Sequence, residues 1–326
     1  MPLDKNKILL TGATGLVGTG ILKRLLDRFP RARIRASFHK HTKPFIRNKR
    51  IEYVYADLRY PKDCARAAAG CGAAIMAAAA TLNSSTVRGW PWQAIRDNAV
   101  MNMNVLEALH RAGAERVVCV LSATMYQPHR GKISERKLDF NKAPGGAYYG
   151  IGWQNRFIEK MCGLWKEKTG GDMITVRAAN VYGPYAKFDP ANSNFIPAII
   201  RKAVGRMDPF EVWGSPDAGR DVIYVDDFAS AVTALFRKNR VKSGVFNVGS
   251  GRAARVGEVV GYALESAGHS PRRIKYVRGR AAFIDTRILD CSCVKKATRW
   301  APRYSVKDGI KETTEWWLDN KGWWKR

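Results

Sequence analysis

Two groups of residues in this chain have the types and spacing that chemistry needs. The first is a glycine triplet, Gly12, Gly15 and Gly18, within Lys7-Ile-Leu-Leu-Thr-Gly-Ala-Thr-Gly-Leu-Val-Gly18. Glycines this close let backbone N–H groups converge on an anion, and a helix starting among them adds its positive end. Ile8, Leu9 and Leu10 read as a buried strand, and Val17, Ile21, Leu22, Leu25, Leu26 and Phe29 recur at helical spacing. Strand, glycine turn and helix in that order form a cradle for a pyrophosphate. Gly12 permits the tight turn, Gly15 lets a phosphate reach the backbone, and Gly18 lets helix and strand pack closely. The spacing is G-x-x-G-x-x-G rather than G-x-G-x-x-G. The second group is Ser122 and Thr124, just after the apolar run Arg116-Val-Val-Cys-Val-Leu121. Hydroxyls at the carboxyl end of a strand are well placed, because ligands of open parallel sheets bind there.

The elements that must hold these residues follow in regular order. Arg33-Ile-Arg-Ala-Ser-Phe38 reads as a second strand, Ile51-Glu-Tyr-Val-Tyr-Ala-Asp-Leu58 as a third, and Asp63 to Ala69 as a short helix. Ala73 to Ala80 is a strand of very small residues, Trp92 to Ala112 a long helix, and Met173 opens another strand. A helix over Val256 to Ala267, a strand over Ile274 to Val277 and an end helix over Val306 to Leu318 come later. Trp316 and Trp317, with Trp323 and Trp324 nearby, read as packing rather than as a ligand box. Strands alternating with helices imply an α/β architecture, and 326 residues suit one large domain with a smaller appendage.

At 46% apolar and 26% charged, the composition is that of an ordinary globular protein. There is no apolar run of the roughly 18 residues that a transmembrane helix needs. The chain enters a strand almost at once, with no signal peptide. Its cysteines (Cys64, Cys71, Cys119, Cys162, Cys291, Cys293) are scattered, and Cys291-Ser-Cys293 lacks the second pair of a zinc site. The expectation is a reduced, cytoplasmic protein with no metal and no membrane association. Lysine and arginine number 56 against 28 acids, for a net charge of +28. Such a field attracts polyanions. The basic residues are spread along the chain, at Arg31-Ala-Arg-Ile-Arg35, Arg47 to Arg50, Arg272-Arg273 and Lys295-Lys296, and form no known nucleic-acid motif. General solvation is the reading adopted, with no specific nucleic-acid partner.

The glycine spacing, together with Thr11 and Thr14, resembles that of the extended short-chain dehydrogenase/reductase family, which includes the nucleotide-sugar epimerases and dehydratases. Later segments resemble it in the same order. Asn98-Ala-Val-Met-Asn-Met-Asn-Val-Leu-Glu-Ala108 is similar to its N-x-x-x-N-x-x-x-L-E-A helix, and Ser122 to Tyr126 to its S-S-S-x-V-Y segment. Arg177-Ala-Ala-Asn-Val-Tyr-Gly-Pro184 resembles R-P-x-N-V-Y-G-P with Ala178 in the proline's place, and Arg220 to Asp227 resembles R-D-x-x-x-V-x-D. The resemblance implies a doubly wound parallel sheet of Rossmann type. A dinucleotide-binding domain would span 1–178, with 219–248 returning to it. A smaller substrate domain would comprise 179–218 and 249–326.

The same resemblance assigns residues. Gly12, Thr14, Gly15, Leu16, Val17 and Gly18 would hold the dinucleotide, Asp57 and Leu58 the adenine, and Ala78 and Ala79 would let the cofactor lie against the backbone. Asn98 would brace the active site. Ser122 would be the catalytic hydroxyl and Thr124 would face the sugar. Asn180 would meet the substrate, Asn194 and Phe195 would clasp its diphosphate, Trp213 would cover its base, and Arg220 and Arg287 would neutralise phosphate. At the end of the second strand an acid favours NAD. Here Ser37 is followed by Phe38, His39 and Lys40, and small polar plus basic residues suit a 2′-phosphate, so NADP is expected over NAD. The implied partners are a nucleotide-diphosphate sugar and a second copy of the chain, as a homodimer.

One element departs from the family. A Tyr-x-x-x-Lys pair is expected at the next helix, where tyrosine moves the proton and lysine lowers its pKa and holds the ribose. Here Tyr148 leads to Gly152 and Tyr149 to Trp153. Aligning on Arg156, Phe157 and Glu159 instead puts Ile151 in the tyrosine place and Asn155 in the lysine place. Tyr148 or Tyr149 beside Ser122 is then the candidate proton carrier, with Asn155 donating to a ribose hydroxyl. The function expected is an NAD(P)-dependent nucleotide-sugar epimerase, dehydratase or reductase acting by transient hydride transfer, an oxidoreductase in the broad sense. The alternatives are a catalytically inactive binding or scaffold protein of the same fold and, on charge alone, a nucleic-acid-associated protein.

Overall fold

The computed structural model describes residues 7–39, 46–81, 91–237, 241–277 and 287–322. In its first part, strands and helices alternate: β1 (Lys7–Thr11), α1 (Leu16–Arg28), β2 (Arg33–Phe38), β3 (Ile51–Tyr55), α2 (Pro61–Ala68), β4 (Cys71–Met76), α3 (Trp92–Arg111) and β5 (Arg116–Ser122). There follow β6 (Gly131–Ile133), α4 (Tyr149–Thr169), β7 (Asp172–Ala178), β8 (Asn180–Tyr182), α5 (Phe195–Val204), β9 (Phe210–Trp213), β10 (Gly219–Tyr224) and α6 (Val225–Phe236). The last elements are β11 (Gly244–Val248), β12 (Ala253–Arg255), α7 (Val256–Ser266), β13 (Ile274–Val277), β14 (Arg287–Leu289), α8 (Ser292–Thr298) and α9 (Val306–Asp319).

Seven parallel strands form the central sheet in the order β11-β7-β5-β4-β1-β2-β3. This is the doubly wound α/β architecture, and its strand order reverses between β1 and β4. A parallel sheet covered by helices is apolar on both faces, and Ile8, Leu9, Leu10, Ala73, Ala74, Ile75, Val117 and Val118 are all buried. β4 ends at Met76, four residues before the expected end at Ala80. The glycine turn takes the chain away after Thr11, so on the β1 side the next residues have no strand to pair with, although β5 runs on to Ser122. The Ala77 and Ala78 N–H groups donate instead to Thr11 Oγ1, at 3.0 and 3.1 Å.

A second core lies beyond the sheet. Phe188, Ile199, Ile200, Phe210, Val212, Val259, Ile310 and Trp317 form it, between a three-stranded sheet (β12-β10-β8), the pair β13-β9 and helices α5, α7 and α9. Phe188 stacks on Trp317, with centroids 4.2 Å apart and planes within 6°. Trp316 leans on Tyr185 at 4.9 Å. These two tryptophans are therefore packing residues; Trp323 and Trp324 lie outside the described residues. Leu289, Cys291, Val294 and Trp300 pack into the first core, not the second.

The basic excess has a structural component that solvation did not anticipate. A helix leaves its last carbonyls unpaired, and a cation there also meets the negative end of the helix dipole. Arg50 donates to Leu26 O and Phe29 O at the end of α1. Arg35 donates to Arg66 O, Ala67 O and Ala69 O at the end of α2, and pairs with Glu52 at 3.0 Å. Arg116, fully buried, donates to Leu235 O and Phe236 O at the end of α6, to Val241 O, and to Asp172 at 2.7 Å. With twice as many bases as acids, backbone carbonyls serve where carboxylates run short. Arg116→Met would leave those buried carbonyls, and the partly exposed Asp172, without their donor. Unfolding in denaturant should show a loss of about 3–5 kcal/mol; an unchanged midpoint would mean that the cap contributes nothing.

Candidate active site

The site begins at the glycine turn. Gly12 has φ +68°, and a Cβ there would lie 2.8 Å from Ala78 Cα, so only glycine fits. At Gly18 a Cβ would stand 2.0 Å from Gly12 O. Helix α1 thus packs directly on the turn that precedes it. Gly15 is different. Its φ is −83°, and the nearest atom to a built Cβ is Gly12 O at an ordinary 3.5 Å. Nothing in the protein demands glycine there. What it keeps open is the space before the N-terminus of α1, where Gly15 is the N-cap and no side chain caps the helix. Leu16 and Val17 open that helix, and their N–H groups are among those without an intrahelical partner. Thr14 is nearly buried beside them. A pyrophosphate fits this arrangement, since it needs N–H donors and no Cβ in its way.

The edge beyond β2 and β3 holds the next group. Ser37 is buried in the sheet, and His39 is the first exposed polar residue after β2. Lys40 lies outside the described residues. Asp57 is gripped by Arg59, whose Nη2 is 2.6 Å from Oδ2 and Nε 2.9 Å from Oδ1, and His39 Nε2 stands 3.5 Å away. The Arg59 guanidinium holds the Asp57 carboxyl below its ordinary range. Arg59 was not singled out in the sequence; its place two residues after Asp57 was the only signal. Leu58 is buried, and its carbonyl accepts from Asn104 at 3.2 Å. Ala78 lies against Gly12, and Ala79 is exposed beyond it. Asn98 accepts from Ala80 N at 2.8 Å and donates to Ala80 O at 3.2 Å. Its role here is to fix the segment after β4.

The hydroxyl pair sits where β5 ends. Ser122 closes the strand, and a single 3-10 turn, Ala123–Met125, follows it. Ser122 Oγ accepts from Thr124 N at 3.2 Å and from Thr124 Oγ1 at 3.0 Å. Tyr126 is no proton carrier. It is fully buried, donates to Asn247 Oδ1 at 2.7 Å, accepts from Arg177 at 2.8 Å, and burial pushes its phenol up to about 12. Arg177 itself is locked to Glu159 at 2.6 Å. A cleft opens beside the hydroxyls, lined by Ser122, Thr124, Asn180, Arg220, Asp221 and Arg287 among others. Residues from β5, β8, β10 and β14, far apart in sequence, meet there.

Charge in this cleft is arranged for an anion. Arg220 Nε is buried with no hydrogen-bond partner among the described residues, and the guanidinium lies 5.3 Å over Phe195, the first residue of α5. Asn194 is the N-cap of α5 and makes no capping bond through its side chain. Asp221 is not available to a ligand: it accepts from Ser250 N, Ser250 Oγ and Leu289 N, and burial raises its carboxyl pKa. Asn180 is exposed and donates to Asp221 O at 3.0 Å. Arg287 donates to Tyr126 O at 3.0 Å. Trp213 is exposed on β9, with Lys202 5.8 Å from its ring centroid.

The two candidate tyrosines separate. Tyr148 ends a 3-10 turn, is partly buried, and interacts electrostatically with Arg220. Tyr149 is the first residue of α4 rather than part of the preceding turn, is 58% exposed, and packs edge-on against Trp153 at 6.4 Å. Asn155 is not turned outward to a ribose. Its Oδ1 accepts from Ser122 N at 3.0 Å and its Nδ2 donates to Ile151 O at 2.8 Å.

A glycine turn at the sheet's switch point, with a polar cleft at the ends of β5 and β7, is the arrangement of dinucleotide-dependent α/β enzymes. The model of the NAD dependent epimerase/dehydratase family matches residues 8–249, and the chain belongs to that family. Among curated relatives, a probable GDP-L-fucose synthase 1 of Oryza sativa subsp. japonica is 26% identical over 325 residues, covering 96% of this chain and 92% of its own. A putative GDP-L-fucose synthase 2 of the same organism is 29% identical over 235 residues, covering 70% of this chain and 66% of its own. Among solved structures, a UDP-glucose 4-epimerase of Thermotoga maritima shares the fold, with a TM-score of 0.83 at 19% identity over 96% of this chain and 99% of its own. No described helix is long and apolar enough to cross a membrane.

The contrast between Gly15 and Gly18 gives a clean test. Gly15→Ala should fold with a near-native melting temperature and bind NADP or NAD at least about tenfold more weakly, about 1.4 kcal/mol. Gly18→Ala should lose the fold. Isothermal titration and thermal unfolding check both; full affinity in Gly15→Ala would move the pyrophosphate elsewhere.

Proposed function

We propose that the protein acts on a nucleotide-diphosphate sugar as an epimerase, dehydratase or reductase, with Tyr148 taking the part of the family's helix tyrosine. The observation that carries this reading is the cleft. It sets the Ser122–Thr124 hydroxyl pair opposite an arginine with a free, buried Nε, at the carboxyl ends of the strands. Arg220 and Arg287 would bind the diphosphate, and the open N-terminus of α5 would add N–H donors. The dinucleotide, held at the glycine turn, supplies hydride acceptance and return when bound. Ser122 Oγ, already polarised by two donors from Thr124, would hydrogen-bond the reacting sugar oxygen. Tyr148 would exchange a proton with that oxygen.

Tyr148 is favoured over Tyr149 because it is half-buried just ahead of α4, whereas Tyr149 is 58% exposed and packs on Trp153. Removing a proton carrier lowers kcat by a factor on the order of 10² to 10⁴. Tyr148→Phe should show a loss of that order, and Tyr149→Phe should retain near-native turnover, when nicotinamide absorbance is followed over a panel of nucleotide sugars. Full rate in Tyr148→Phe would end the displaced-tyrosine reading. Tight nucleotide-sugar binding with no turnover in the wild type would make the protein a binding protein instead.

NADP is proposed over NAD. An NAD site wants a carboxylate free to accept from both ribose hydroxyls. Here the residue that reaches the surface after β2 is His39, and the nearby Asp57 is held by Arg59. His39→Asp would place a negative charge beside the 2′-phosphate. It should weaken NADP by about tenfold, about 1.4 kcal/mol, and change NAD far less. A wild-type preference for NAD in the same titrations would contradict the assignment.

A further inference from the structure

Three positions on α4 could carry the lysine that the family uses, and the structure accounts for the residue at each. Four residues after Tyr148 comes Gly152, where a Cβ would stand 2.3 Å from Pro144 Cβ and 2.9 Å from Thr124 O. No side chain fits there, because the helix is pressed against the loop that carries Thr124. Four residues after Tyr149 comes Trp153. Its ring lies against Tyr149 and 4.7 Å from the Arg156 guanidinium, which itself donates to Met125 O at 2.8 Å. The third position is Asn155, four residues before the Glu159 that locks Arg177.

Asn155 is only 5% exposed, and its side chain accepts the Ser122 N–H at 3.0 Å. β4 has already ended opposite Cys119, so a side chain rather than a strand receives this N–H. An ammonium group has three donors and no acceptor. A lysine at this position would leave the partly buried Ser122 N–H without its acceptor, at the cost of that hydrogen bond. The position has exchanged a cation for an acceptor.

We propose that Asn155 is a positioning residue for the Ser122–Thr124 hydroxyl pair and not a ligand of the dinucleotide ribose. Through the Ser122 N–H it fixes the end of β5 against the first turns of α4. Gly152 holds the same two elements together from the other side of the turn. Ser122 Oγ and Thr124 Oγ1, 3.0 Å apart, are thereby aimed into the cleft from a backbone that cannot shift. This rests on the cleft being the reacting site, and the test separates the two claims.

The experiment uses the full chain with Asn155→Lys, Asn155→Leu and Asn155→Asp, each checked for folding by thermal unfolding. Asn155→Leu removes the acceptor at similar volume, and Asn155→Asp keeps it. Hydrogen exchange at the Ser122 amide should accelerate by about tenfold or more in Asn155→Leu and Asn155→Lys, and stay protected in Asn155→Asp. The affinity for NADPH, followed by its fluorescence, should stay within about twofold of wild type in all three. Where a nucleotide sugar turns over, kcat should fall in Asn155→Leu and Asn155→Lys with KM nearly constant, and recover in part in Asn155→Asp. An Asn155→Lys protein that binds NADPH more tightly and turns over faster would overturn the inference, as would unchanged Ser122 exchange in Asn155→Leu. Exchange and cofactor affinity decide the matter even if no sugar turns over, an outcome that counts against the proposed function alone.

Discussion

The constraint on which the rest depends is the contact between α1 and the turn before it. A Cβ on Gly18 would sit 2.0 Å from Gly12 O, so the helix begins as close to β1 as a backbone allows. That closeness puts the N-terminus of α1 at the point where strand order reverses from β1 to β4. It also forces the chain after β4 to leave the sheet early. Thr11 and Asn98 then supply the hydrogen bonds that a strand would have made. Turn, helix end and departing strand together give a cradle whose walls are backbone. In such a cradle the difference between Gly15 and its two neighbours is chemical: Gly12 and Gly18 serve the fold, and Gly15 serves whatever lies in front of it.

The second theme is how a chain with few acids holds its shape. Buried guanidinium groups need several acceptors each. Arg35, Arg50, Arg116 and Arg156 find most of them on backbone carbonyls, at helix ends or on loops, rather than on carboxylates. Carboxylates are kept for junctions. Asp227 accepts from Arg303 N and Tyr304 N and so fixes the approach to α9. Asp221 ties β10 to the loop after β11 and to β14. Among the described residues, Glu159 and Arg177 form the one ion pair in which both partners are deeply buried, and it joins α4 to β7. Two of these junctions adjoin the site: Asp221 lines the cleft, and Arg177 directly precedes Ala178, which also lines it.

Around β5 the first turns of α4 are held by neutral packing and hydrogen bonds. Gly152 and Asn155 lie within one turn of α4 and both hold the Ser122–Thr124 segment. Arg156 adds a third tie through Met125 O. A positive charge reaches the cleft by another route, from Arg220 on β10. The positive charge at the cleft is therefore carried by β10 and β14 rather than by α4.

Much was legible in the residues alone. The order of strands and helices followed from apolar spacing, because a buried parallel strand and an amphipathic helix have different periods, and β2 and β13 fell where the sequence put them. The glycine turn was legible because a backbone conformation and a close approach restrict residue type. The hydroxyls, asparagine and arginines of the cleft could be named from their motifs, but not brought together: Ser122 and Arg287 are neighbours only because β14 closes over the site from the far end of the chain. That Tyr149 is exposed at the start of α4, where the Asn155 amide turns, and that Ser37 is buried were decided by packing between elements apart in sequence. A side chain's type is written in the chain; the direction in which it can find a partner depends on what the fold places beside it.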